Sequence, residues 1–156
     1  MKNGVLAVLA LLMLALPGVG VTGASAQAIT LEEAKKAADA AEAEARANKW
    51  NLAILISDAE GTPILFRRMA GATQRNYEIA MRKVKTALGS GMHTIDYAAA
   101  LKAGTVKEVP DGVTFDGGLI LRRDGTVVGA MSASGATGAQ DAQAVRAGMG
   151  AIGLKP

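Results

Sequence analysis

The order of the predicted elements places the chain in the α+β class. One helix is followed by two strands, two helices, two or three strands and a last helix, which is not the strict strand-helix alternation of a doubly wound parallel sheet. Two turn sequences point the same way. Asp58-Ala59-Glu60-Gly61 and Arg123-Asp124-Gly125 each separate two apolar runs of strand length, so both strand pairs read as antiparallel.

The chain opens with Lys2 and Asn3, then an apolar run from Gly4 to Leu16, a Pro17-Gly18 break and the small-x-small tripeptide Ala24-Ser25-Ala26. This pattern predicts a secretory signal peptide over residues 1–26 and a mature domain over residues 27–156. The run is broken by proline and falls short of the roughly 18 apolar residues that a membrane span needs. The expected product is periplasmic or secreted, with no membrane insertion after cleavage.

Thr30-Leu31-Glu32-Glu33 is a capping box and starts a helix that runs to about residue 48, with Leu31, Ala34, Ala38, Ala41 and Ala45 on one face. Residues 52–57 are a nearly unbroken apolar run, as expected of a central strand covered on both faces. Residues 62–68 return as the second strand, with Pro63 tolerated near its beginning and Arg67 and Arg68 on opposite faces. Thr73 or Asn76 caps a helix over about 77–88 that stops at Gly89-Ser90-Gly91, and a short helix follows over about 95–103. After a connector carrying Pro110-Asp111-Gly112 comes the hairpin around Asp124-Gly125. Its second strand ends at Ser132, and the small residues Gly135-Ala136-Thr137-Gly138 lead into a helix opened by Gln140 and Asp141. A helix start with free N–H groups suits an acidic side chain or a bound anion, so this loop is a candidate pocket wall.

Composition narrows the chemistry. The chain holds no cysteine and one histidine, which excludes disulfides, thiol nucleophiles and single-chain zinc sites built on two or three histidines. Ser132 and Ser134 lie outside any Gly-x-Ser-x-Gly elbow, and no Gly-Lys-Ser/Thr follows the glycine-rich loop, so neither a hydrolytic triad nor a P-loop is expected. A formal charge of +3, with the basic residues dispersed, and few aromatic side chains argue against a nucleic-acid partner. His93, in the loop between two helices, is a candidate axial ligand for haem iron. Met92 or Met131 would be a soft second ligand.

The segments Asp58-Ala59-Glu60-Gly61, Ile79 to Ala87, Gly117-Gly118-Leu119, Asp124 to Ala130 and Ser134 to Asp141 resemble, in this order, the hallmark segments of the GlcG/HbpS-like family. The resemblance covers nearly all of residues 27–156. It implies a profilin-like fold, with a five-stranded antiparallel sheet flanked by helices, assembly into homo-oligomers, and haem b as the ligand. Cobalamin is the alternative cofactor, because a related domain in corrinoid enzymes binds it. Haem breakdown and binding of a small organic acid are further readings. By position, Lys83 matches the family's helix lysine, Thr94 its loop threonine, and Gly138, Gln140 and Asp141 its terminal motif. His93 stands where the family more usually shows proline. A porphyrin slot is expected from Met69, Met81, Leu88, Met92, Ile120 and Met131, with Arg68, Arg75, Arg82 and Lys83 to meet the propionates. The binding set is therefore expected to be His93, Met92, Thr94, Lys83, Arg82, Gly138, Gln140 and Asp141, with His93 on the metal.

Overall fold

The computed structural model describes residues 27–155, so the signal-peptide expectation over 1–26 lies outside the described residues. The elements are α1 (Leu31–Ala47), β1 (Ala53–Ser57), β2 (Pro63–Arg68), α2 (Gln74–Ser90), α3 (Thr94–Lys102), β3 (Gly118–Arg123), β4 (Thr126–Ser134) and α4 (Gly138–Ala151). The four strands form one antiparallel sheet in the order β2-β1-β4-β3. β1, buried at every residue, is central as its apolar run requires. Asp124 and Gly125 close the β3–β4 hairpin with φ of +50° and +80°, the left-handed pair that a two-residue loop demands.

The sheet has four strands where the resemblance implied five, and the reason lies at the outer edge of β3. The N–H groups of Gly118 and Ile120 point away from β4. They donate to Thr94 Oγ1 at 3.1 Å and His93 Nδ1 at 3.1 Å. The start of α3 thus supplies two side-chain acceptors where a further strand would supply carbonyls, and the edge is closed without one.

Alternation along the strands sorts the core into two layers. Ile54, Ile56, Leu119, Leu121 and Met131 pack toward α1 and α4, whose contact faces are mostly alanine. Leu55, Ile120 and Ala130 pack toward Ala80, Val84 and Ala87 of α2. Arg67 turns to α1 and pairs with Asp39 at 2.6 Å and Glu42 at 3.0 Å, whereas Arg68 faces the α2 side. The opposite-face expectation for this pair holds. α4 starts at Gly138, just ahead of the Gln140-Asp141 pair expected in its first turn. Thr137 caps it, accepting from the Gln140 amide, in a box that mirrors the one at Thr30. Among the described residues no helix is long and apolar enough to cross a membrane.

Candidate functional site

Lys83 sits in the middle of α2, on the face turned to the sheet, and is 1 % exposed. Its ammonium donates to Asp141 Oδ2 at 2.7 Å and to the Ala133 carbonyl at 2.8 Å. Asp141, 3 % exposed in the first turn of α4, takes the Ala136 N–H on its other oxygen at 3.0 Å. Removal from water opposes both charges. Burial pulls Lys83 below the ordinary lysine range against the attraction of Asp141, and burial pushes the Asp141 carboxyl up against the attraction of Lys83. Nothing larger than hydrogen fits at Gly117, where φ is +106° and a Cβ would stand 2.5 Å from Lys83 Nζ.

Beside this pair lies a cleft of about 290 Å³ between α2 and the start of α4. It is lined by Asn76, Ile79, Lys83, Phe115, Asp141 and the Ser134–Ala136 strand end with Gly138. The Lys83 ammonium also lies 5.6 Å from the centroid of the Phe115 ring, within cation–π range.

The sequence-predicted residues do not all meet at one place. Lys83, Asp141 and Gly138 meet at this cleft, and Gln140 stands next to it but spends its side chain on the Thr137 N–H. Thr94 is buried, its hydroxyl on the Gly118 amide, and Met92 is half-buried at the end of α2. Arg82 is on the solvent side of α2, donating to the Asp111 and Gly112 carbonyls.

His93 is half-buried at the N-terminus of α3, and burial is the main cause that lowers its pKa from the ordinary value. Its Nδ1 accepts the Ile120 N–H, which fixes the neutral tautomer with the proton on Nε2. To ligate iron through Nε2 the ring must move its proton to Nδ1 and release Ile120. No group of three or more His, Asp or Glu side chains among the described residues is arranged to hold a metal ion.

Two apolar hollows flank the other side of α2, against the β1–β2 hairpin. One, of about 510 Å³, is lined by Met81, Val84, Leu88 and Lys85 with Glu60 and Gly61. The other, of about 320 Å³, is lined by Phe66, Tyr77, Leu55, Pro63, Gln74 and Arg68. Of the expected slot residues only Met81 and Leu88 are here. Met69, just past the end of β2, and Met131 fill the α1–α4 core and Ile120 fills the α2 core; strand alternation turns Met131 and Ile120 inward. His93 stands by β3, at the sheet edge opposite β2, so one chain does not bring it to these hollows.

The sequence reading missed Asn76, Phe115 and Ser134 as cleft residues. The Thr73-to-Asn76 capping spacing was a visible signal for the first. The other two come from a connector and a strand end, where no periodicity marks them.

Residues 29–150 match the family model described as haem degrading protein HbpS-like. An uncharacterized 15.0 kDa protein from the dhaT-dhaS intergenic region of Citrobacter freundii is 35% identical over 119 residues, which span 72% of this chain and 84% of that protein. Among solved structures, the PduOC:heme complex superposes with a TM-score of 0.76 at 26% identity, covering 82% of this chain and 97% of that one. A double mutant of HbpS from Streptomyces reticuli superposes with a TM-score of 0.73 at 31% identity, covering 90% and 97%. With the family model spanning almost every described residue, the chain belongs to the HbpS-like family.

Proposed function

We propose that this chain is an exported haem-binding protein acting in haem capture, buffering or sensing, with the macrocycle lodged along α2 where it faces the β1–β2 hairpin. The pair of apolar hollows there carries the reading, on a fold shared with a relative that was crystallised with heme. The residues fit such a group. Phe66, Tyr77, Met81 and Leu88 offer flat or pliable apolar walls, and the volumes fall in the range of roughly 300–1,000 Å³ common for small-ligand sites. Arg68 and Lys85 stand at the two hollows as cations for propionates. Bound haem would supply an iron centre able to take axial ligands. This chain's share is to bind the ring, orient its carboxylates and exclude water.

His93 remains the candidate axial ligand, and reaching a ring in these hollows requires it to come from a second subunit. The signal peptide read in residues 1–26 supports export to the periplasm or beyond.

Titrating the purified protein with hemin should give a saturable Soret shift. Met81→Glu should weaken binding by at least about tenfold, since a carboxylate would then be desolvated against the ring. His93→Ala should alter the ligation spectrum, and an unchanged spectrum would remove His93 from the iron while leaving haem binding in place. Absence of saturation in the unaltered protein would end the haem reading. Faster loss of the Soret band with peroxide or reductant than for free hemin would point to haem breakdown.

A further inference from the structure

Hydrogen-bond donors outnumber free acceptors in the Lys83–Asp141 cleft. The Asp141 and Asn76 side-chain oxygens are engaged. Asp141 Oδ1 takes the Ala136 N–H and Oδ2 takes Lys83. Asn76 Oδ1 takes both the N–H of Thr73 at 2.8 Å and its hydroxyl at 2.9 Å, an arrangement that also settles which end of the amide is oxygen. The donors are not used up. Lys83 commits two of its three N–H bonds, and the Asn76 amide nitrogen donates to nothing within the described residues. The Ser134 hydroxyl, 4 % exposed on the wall of the cleft, makes no hydrogen bond among the described residues. Gly138 and Ala139, the first residues of α4, carry N–H groups with no partner inside the helix, because the Thr137 cap serves Gln140. Ile79 and Phe115 provide apolar surface beside these donors.

We infer that this cleft binds a carboxylate, held between Ser134, the Asn76 amide and the N-terminal amides of α4, with its carbon skeleton against Ile79 and Phe115. For a free acid the inference needs no haem in the hollows on the far side of α2, and only its porphyrin source rests on the haem reading. Two sources share this chemistry: a free short-chain acid, for which a cleft of about 290 Å³ is large enough, and the propionate of a bound porphyrin.

Asn76→Asp tests the site without unfolding it. The capping oxygen is kept, while the free amide donor becomes a negative charge. Propionate and lactate at millimolar concentration, against chloride at the same ionic strength, should shift the backbone amide resonances of Ser134, Gly138 and Ala139 in the unaltered chain. Ser134→Ala should weaken that binding by about fivefold, the worth of one hydrogen bond, and Asn76→Asp should abolish it. If the acids do nothing but Asn76→Asp weakens hemin and spares its dimethyl ester, the carboxylate belongs to the porphyrin. The inference is overturned if neither the acids nor hemin responds to Asn76→Asp, or if the acids bind equally well to Ser134→Ala and Asn76→Asp.

Discussion

Replacing Lys83 by Met tests the electrostatics of the buried pair. Met has nearly the length and girth of the lysine stem, so packing against Gly118 is preserved while the ammonium is lost. Asp141, 3 % exposed, keeps only the Ala136 N–H. Removing one partner of a buried ion pair typically costs about 3–5 kcal/mol, because an uncompensated charge is left in low dielectric. In a domain of this size that lowers Tm by about 10–20 °C. The cost should depend on pH in a defined direction. The Asp141 carboxyl is already raised by burial against the pull of Lys83, so without Lys83 it rises further. A group with a raised folded-state pKa favours the fold when protonated, so that contribution is present in acid and lost as pH rises through the folded value. The deficit of Lys83→Met relative to the unaltered protein should therefore be largest at neutral pH, shrink as pH falls through the raised folded value, and be smallest below about pH 4, the unfolded carboxylate value. Urea denaturation at several pH values measures it. Lys83→Met combined with Asp141→Asn, which retains an acceptor for Ala136, should recover part of the loss at neutral pH. A deficit under about 1 kcal/mol, or one independent of pH, would refute the account of an obligatory charge pair.

His93 has its folded-state pKa lowered from 6.5 by burial, so the unfolded chain binds the proton more readily and stability falls as pH drops below that value; His93→Gln, which keeps an acceptor for the Ile120 N–H, should flatten urea midpoints between pH 7 and 5. Glu33 is held below the ordinary carboxylate value of 4.5, first by the Thr30 N–H and also by Arg123 at 2.6 Å, so its contribution is present above that value and fades in acid. Glu33→Gln preserves the cap and loses the charge pair, and should cost at most about 1 kcal/mol at pH 7 and nothing measurable near pH 3.

Much of the architecture could be read locally. Thr30 with Glu33, the unbroken 52–57 run and Asp124-Gly125 are each governed by neighbours within four residues, and each appears where the sequence placed it. The strand count was not local. Whether the outer edge of β3 takes another strand depends on His93 and Thr94 arriving from more than twenty residues away, and no periodicity encodes that. The site divides in the same way. Lys83 and Asp141 were legible as family positions, but that they neutralise one another, leaving a cleft of unspent donors, is a product of tertiary packing. The methionines misled because a flexible apolar side chain fits a core as readily as a pocket, and the sequence does not say which face of a strand will be covered.

Three of the hallmark segments, those carrying Lys83, Gly117-Gly118 and Asp141, converge with Thr94 on one small volume. The Lys83 ammonium fills the space a side chain at Gly117 would need, and a Cβ at Gly118 would meet Thr94 Cγ2 at 2.7 Å and Lys83 Cβ at 2.9 Å. Asp141 then ties the start of α4 to that lysine, and Thr94 ties the start of α3 to the Gly118 amide. The double glycine, the lysine, the threonine and the aspartate are therefore one packing arrangement in which no member can change size or charge alone. Such an arrangement fixes two helix starts against the sheet to within a hydrogen bond's tolerance, the precision that a binding cleft at a helix N-terminus requires. The apolar hollows between α2 and the β1–β2 hairpin carry no comparable constraint. Their walls can vary with the ligand while the buried pair holds the frame, and substitutions at Phe66 or Met81 should change affinity with less effect on stability than any at Lys83 or Gly117.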